Sequence, residues 1–105
     1  MTDPTPPPEH YKLRLFITGS TARSTRAIEN MRRICEENLG GQYDLEIIDV
    51  YAHPEATREL QVVATPTLVK ILPEPLRRII GDLSDKERVL AGLNIMPVND
   101  PRRVD

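Results

Sequence analysis

Val62-Val-Ala-Thr-Pro-Thr-Leu-Val-Lys-Ile-Leu-Pro-Glu-Pro75 is a strand-forming run fenced by prolines. Its β-branched and aliphatic residues favour an extended, half-buried backbone. Pro66 opens the run, and Pro73 and Pro75 close it. Proline has no N–H for a ladder, so within a sheet it is confined to a strand's start, an edge or a bulge. The reading that satisfies both demands is a strand over Thr67 to Leu72, with Pro66 just ahead of it. Leu76 to Ile80 is a second short strand, and Pro73-Glu-Pro75 between them suits an antiparallel hairpin.

Upstream, the hydrophobic period alternates between two and about 3.6. Tyr11 to Thr18 puts Leu13, Leu15 and Ile17 on one face and Phe16 on the other, as a strand does. From Ser24 to Leu39 the apolar positions Ala27, Ile28, Met31, Ile34, Cys35 and Leu39 recur at helical spacing, and Gly40-Gly41 ends the helix. Asp44 to Tyr51 is another aliphatic strand. Strand, four-turn helix and strand make a βαβ unit with parallel strands. His53-Pro54-Glu55 starts a short helix through Leu60, with proline in its first turn and an acid at its positive end. Ser84-Asp-Lys-Glu87 reads as a capping box for a last helix from Asp85 to Leu93, buried through Val89, Leu90 and Leu93. The order β-α-β-α-β-β-α, in a mixed α/β sheet, is the thioredoxin-like order.

Composition bounds what such a domain does. The 105 residues suffice for one domain with a modest core. Aromatic residues make up only 4% and Trp is absent, so that core is aliphatic. A net charge of −2 gives no general attraction to nucleic acid or an anionic membrane. The basic residues are mostly Arg, which suits bidentate pairing at protein surfaces. No apolar run is long enough for a membrane span, and the first residues lack a signal peptide's apolar core, so a cytoplasmic protein is expected. One cysteine excludes an internal disulfide and a zinc site. Residues 1–9 read as a disordered Pro-rich tail, 10–97 as the domain and 98–105 as a flexible tail.

Asp49-Val50, Pro54-Glu55, Val62 and Thr65-Pro66-Thr67-Leu68 resemble the centre of a thioredoxin-like domain. The resemblance implies a cis Thr65–Pro66 bond facing the first helix; the plainer alternative is a trans proline at a strand's first residue. A thiol–disulfide enzyme needs Cys-x-x-Cys at that helix N-terminus, where the dipole activates one thiol. Here the position reads Thr18-Gly-Ser-Thr-Ala-Arg-Ser-Thr25, without cysteine. Cys35 falls on the apolar stripe and reads as a core thiol. An enzymatic rival is a glutathione- or redox-partner-binding module using Ser20, Thr21, Ser24 and Thr25, although Ser and Thr here also read as helix caps. His10 and His53 have no companions that make a base or metal site, so no catalytic residue, metal or cofactor is expected.

Ala64-Thr-Pro-Thr-Leu68, Lys70-Ile-Leu-Pro73, Pro75, Arg77-Arg-Ile-Ile-Gly-Asp-Leu-Ser-Asp85 and Val89-Leu-x-Gly-Leu93 together resemble the circadian clock protein KaiB family. Leu13-x-Leu-Phe-Ile-x-Gly19, Ser24-x-Arg-Ala27 and Ile48-Asp-Val50 agree with it, over roughly Tyr11 to Ile95. The sensor domain of the clock kinase SasA is a related relative. The resemblance implies a non-enzymatic interaction protein that binds the KaiC ATPase ring, captures KaiA and displaces SasA. It also implies two folds: a tetramer of order βαββααβ and a thioredoxin-like monomer, sharing the first βαβ unit.

Residue by residue, the resemblance implies partner-binding roles for Arg26, Gln61 and Arg78 and fold-switch roles for Gly92 and Asn94. Pro66, Pro73 and Pro75 crowd the segment that would refold, and X-Pro isomerisation is slow enough to brake a conversion. Asn94 stands where Asp is common, Gln61 where a partner-facing Lys is common, and Asp-Pro-Arg-Arg-Val-Asp105 replaces an acidic tail. These departures point to a divergent copy resting in the thioredoxin-like state.

Overall fold

The computed structural model describes residues 10–60 and 66–95. Its elements run β1 (Tyr11–Ile17), α1 (Ala22–Asn38), β2 (Tyr43–Asp49), α2 (Pro54–Glu59), β3 (Thr67–Leu72), β4 (Arg77–Ile80) and α3 (Lys86–Gly92). Of the two orders implied for the family, this is the thioredoxin-like βαβαββα. The four strands form one mixed sheet in the order β2-β1-β3-β4. β1 is parallel to β2, with Tyr11 opposite Tyr43 and Ile17 opposite Asp49. β3 runs antiparallel to both β1 and β4, and the β1–β3 register shifts between Lys12 and Leu13.

The period-two reading of β1 separates the two layers. Leu13, Leu15 and Ile17 enter the larger core with Ala27, Met31, Ile34 and Cys35 of α1 and Val89, Leu90 and Leu93 from the α3 end. Phe16 points the other way and is fully buried with Ile48 and Val69, beneath Ala56 and Leu60 of the α2 segment. Burying one such side chain contributes about 1.5–3 kcal/mol, so the lone Phe anchors the thinner layer. α1 and α3 therefore cover one face of the sheet, and α2 part of the other.

Several boundaries differ from the sequence reading, each for a local reason. α1 starts at Ala22, two residues early, because Thr21 is its N-cap and accepts a hydrogen bond from the Ser24 N–H at 3.2 Å. Gly40 and Gly41, at φ 55° and 79°, turn the chain past its C-cap Leu39, a conformation that costs glycine little. β2 ends at Asp49 rather than Tyr51, since the Asp49 carboxylate accepts from the Tyr51 N–H at 2.9 Å and bends the chain into a turn. The cap of α3 is Asp85, not Ser84: the Ser84 N–H donates to Asp82, while Asp85 accepts from the Arg88 N–H at 3.2 Å.

Candidate partner-binding surface

The turn between β2 and α2 carries the most exposed large apolar side chain among the described residues. Tyr51 is 79% exposed, and its N–H donates to the Asp49 carboxylate at 2.9 Å. α2 follows with Pro54 in its first turn, Glu55 at its positive end and Arg58 at its negative end, so both charges favour the dipole. No residue of α2 is fully buried, and it lacks a side-chain cap. Such an element opens at low cost.

Strand pairing places Arg78 on this same side. Arg78 lies opposite Val69 and Ile80 opposite Thr67, so both share the face of the Phe16 layer. Both are exposed, Ile80 by half. β4 is an edge strand, and its outer backbone groups face away from β3. Arg78 and Ile80 thus share with α2 a sheet face that α2 covers only in part.

Arg26 belongs elsewhere. It projects from α1, across the sheet from Arg78, and its Nε lies 3.5 Å from Asp82 Oδ2 in the β4–α3 connection. Asn30 of α1 donates to the Asp82 carbonyl at 2.8 Å. The Ser84 hydroxyl and N–H, followed by Arg26, hold the Asp82 carboxyl below its usual range. The structure does not bring the two arginines to one surface. Gln61 lies outside the described residues, one position beyond Leu60.

The residues expected to govern a fold switch cluster around the hairpin and α3. Pro66 is buried ahead of β3, and its carbonyl accepts from the Gly81 N–H at 3.0 Å, joining the two ends of the hairpin. The Thr65–Pro66 bond, expected to be cis, includes a residue outside the described set. Leu72–Pro73 and Glu74–Pro75 are cis. Lys70 is buried and donates to the Pro73 carbonyl at 2.7 Å. At Gly92 an added Cβ would meet Ile79 Cδ1 at 2.7 Å, so the missing side chain lets α3 close on β4. Asn94 follows α3 in the left-handed region, at φ 58°.

The position of a thioredoxin's thiols is occupied by a hydroxyl knot. Ser24 Oγ is buried, accepts from the Thr18 N–H at 3.2 Å and from the Thr21 hydroxyl at 2.9 Å, and faces the Thr18 carbonyl at 3.5 Å. Thr21 and Ser24 therefore spend their hydroxyls on the cap, whereas Ser20 and Thr25 are exposed. Burial, and to a smaller extent Glu36, pushes the Cys35 thiol up to about 12. His10 and His53 each face one exposed carboxylate, Asp44 at 2.8 Å and Glu55 at 3.6 Å. Among the described residues no group of three metal-ligating side chains forms, and no helix is long and apolar enough to cross a membrane.

Tyr51, Ile80, Asn30 and Asp82 were not legible as surface or bridging residues in the sequence. The one available signal was Tyr51, an aromatic residue three positions before the helix-opening Pro54.

The class of protein follows from the fold: a thioredoxin-like α/β domain without the thioredoxin dithiol. The structure is similar to the N-terminal domain of Synechococcus elongatus SasA, with a TM-score of 0.68 and 23% identity over 90% of this chain and 92% of that one. It is similar to oxidised mitochondrial thioredoxin 3 from Saccharomyces cerevisiae, with a TM-score of 0.65 and 18% identity over 80% of this chain and 76% of that one. At these identities the likeness is one of fold. The KaiB domain model matches residues 14–95. The chain is also 56% identical over 85 residues to the circadian clock protein KaiB3 of Synechocystis sp. (strain ATCC 27184 / PCC 6803 / Kazusa), covering 81% of this chain and 83% of that protein. The chain belongs to the KaiB family of circadian clock proteins.

Proposed function

We propose that this chain is a non-enzymatic, fold-switching interaction protein that binds a KaiC-type ATPase ring in the cytoplasm. It modulates the ring's phosphorylation cycle by capturing KaiA and displacing a SasA-type kinase. The docking surface combines α2, Tyr51 in the turn before it and the exposed Arg78 and Ile80 of β4, with Gln61 a further contact residue. The observation that carries this reading is the partly covered sheet face itself, in a KaiB-family chain whose thioredoxin position holds a spent hydroxyl knot. An exposed aromatic just before α2, and an exposed Arg and aliphatic on the α2 side of the sheet, include residue types that anchor interfaces.

The thioredoxin-like monomer is the resting and binding state. Refolding of the second half is supported by how little α2 and β4 bury: neither contains a fully buried residue. Two packings that differ by only a few kcal/mol are switchable, and Pro66, Pro73, Pro75, Gly92 and Asn94 set the balance. Tyr51→Ala and Arg78→Glu variants, compared with wild type by co-elution with a KaiC-type ring, test the surface. Loss of binding with an unchanged circular dichroism spectrum supports it; full binding by both variants refutes it.

A further inference from the structure

The free edge of β4 joins outward backbone groups, unpaired cations and an exposed aliphatic side chain within four residues. The Gly81 N–H donates to the Pro66 carbonyl at 3.0 Å, and Thr67 lies opposite Ile80 in the same register. Hydrogen-bonded and non-bonded pairs alternate along an antiparallel ladder, so Arg77 and Ile79 turn their N–H and C=O groups to β3. Arg78 and Ile80 turn theirs outward, each a donor and an acceptor, and β4 is the last strand of the sheet. Among the described residues nothing pairs with them.

The side chains alternate along that edge. Ile79 lies opposite Leu68 of the α1 layer, and Arg78 opposite Val69 of the α2 layer. Arg77 and Ile79 therefore share the α1 face, and Arg78 and Ile80 the α2 face. Both arginines are exposed, and among the described residues neither has an ion pair. Charged edges commonly guard a sheet against unwanted pairing. These two arginines guard against one class of partner only. A second copy of the chain would add two more arginines to the same short edge, whereas an acidic strand is attracted on both faces. Ile80, half exposed, is apolar where a guard would be polar.

We propose that β4 takes a fifth strand: an extended segment of a partner protein, antiparallel to β4, reading apolar, apolar, acidic, acidic. The order follows from the register. In the antiparallel direction the first residue of the segment faces Ile80 and the fourth faces Arg77. The first and third residues, opposite Ile80 and Arg78, exchange backbone hydrogen bonds with them. The two acids lie on opposite faces, one beside Arg78 and one beside Arg77. Backbone pairing supplies affinity without regard to sequence, and the charged and apolar pairs supply selection. This edge is the β4 part of the docking surface proposed above, and only the identity of the protein that carries the segment rests on that reading.

The probe is a blocked peptide with Val-Val-Glu-Glu at its centre, titrated into the isotope-labelled full chain and followed by NMR. The Arg78 and Ile80 amides should shift most and exchange with solvent more slowly. Methylating the backbone nitrogens of the first Val and the first Glu, which face β4, should abolish binding. Methylating those of the second Val and the second Glu should leave it intact. Ile80→Pro removes an outward N–H and no ladder bond, a change that an edge strand tolerates, and should weaken binding at least about tenfold. A Val-Val-Lys-Lys peptide should bind only the Arg77→Glu/Arg78→Glu double variant. Absence of shifts at millimolar peptide, shifts centred on the β2 edge, or equal binding by the two methylated peptides overturns the proposal. So does a peptide-free chain that pairs with itself through β4. The assay contains no ring, so its outcome and that of ring binding are read separately.

Discussion

Arg26 and Asp82 tie the first helix to the loop that launches the last one. The Arg26 Nε lies 3.5 Å from Asp82 Oδ2, while Asn30 one turn further holds the Asp82 backbone carbonyl at 2.8 Å. A residue implied by family resemblance to meet a partner is, in this fold, part of the molecule's own bracing.

Asp82 has a pH signature, set first by the Ser84 hydroxyl and N–H and then by Arg26. Because the folded state lowers the Asp82 pKa, its contribution is present above the unfolded value and is lost as pH falls through the folded one. Asp82→Asn should therefore lower the urea midpoint slightly at neutral pH. The difference from wild type should shrink below the ordinary carboxylate range. Urea titrations at neutral and acid pH check both parts; a gap that widens in acid contradicts the assignment.

Gly92 and Ile79 are coupled by space. Gly92 is the last residue of α3, where Ala is worth up to about 1 kcal/mol over Gly. Here that gain is offset by Ile79 Cδ1, 2.7 Å from the new Cβ. Ile79→Val removes that atom and leaves Cγ1 at 3.2 Å. A double-mutant cycle should find Gly92→Ala more favourable in the Ile79→Val background than in wild type, by roughly 0.5–1 kcal/mol. Equal effects in both backgrounds would show that α3 and β4 do not meet there.

Asn94 marks the end of α3 with a left-handed backbone at φ 58°. Asn and Gly tolerate that region, whereas Ala there costs about 1–2 kcal/mol. Asn94→Ala should lower the urea midpoint at an unchanged slope, and Asn94→Gly should not. A loss of this kind acts on the thioredoxin-like state and moves the proposed fold balance away from it.

The Cys35 thiol should resist modification. Its pKa is pushed up to about 12 from 9.0, mainly by burial, so the folded protein keeps it protonated and shielded. Alkylation at pH 8 should follow global unfolding, with little reaction in native buffer and full reaction in urea. The same shift makes stability constant below about 9 and lets it fall as pH rises from 9 to about 12. Rapid native labelling would contradict the placement of α1.

The fold was readable because its signals were local. Period two in Tyr11–Ile17, helical spacing from Ala27 to Leu39 and the prolines around Thr67–Leu72 each specify one element. The errors fell where a short polar side chain competes for the backbone: Asp49 ended β2 early, and Asp82 took the Ser84 N–H that a capping box would use. The candidate surface was less legible. Arg26 and Arg78 look alike in sequence, and only strand pairing shows that they face opposite sides. Tyr51 and Ile80 are ordinary strand residues by composition; their exposure depends on which parts of the sheet α2 leaves uncovered.

Ring binding is tested by gel filtration of this chain with a phosphomimetic KaiC-type ring, as wild type and as Arg78→Glu. Wild type should co-elute with the ring, and the variant, folded by circular dichroism, should elute alone at the monomer position. Absence of a wild-type complex, or equal co-elution of both proteins, would contradict the proposed docking.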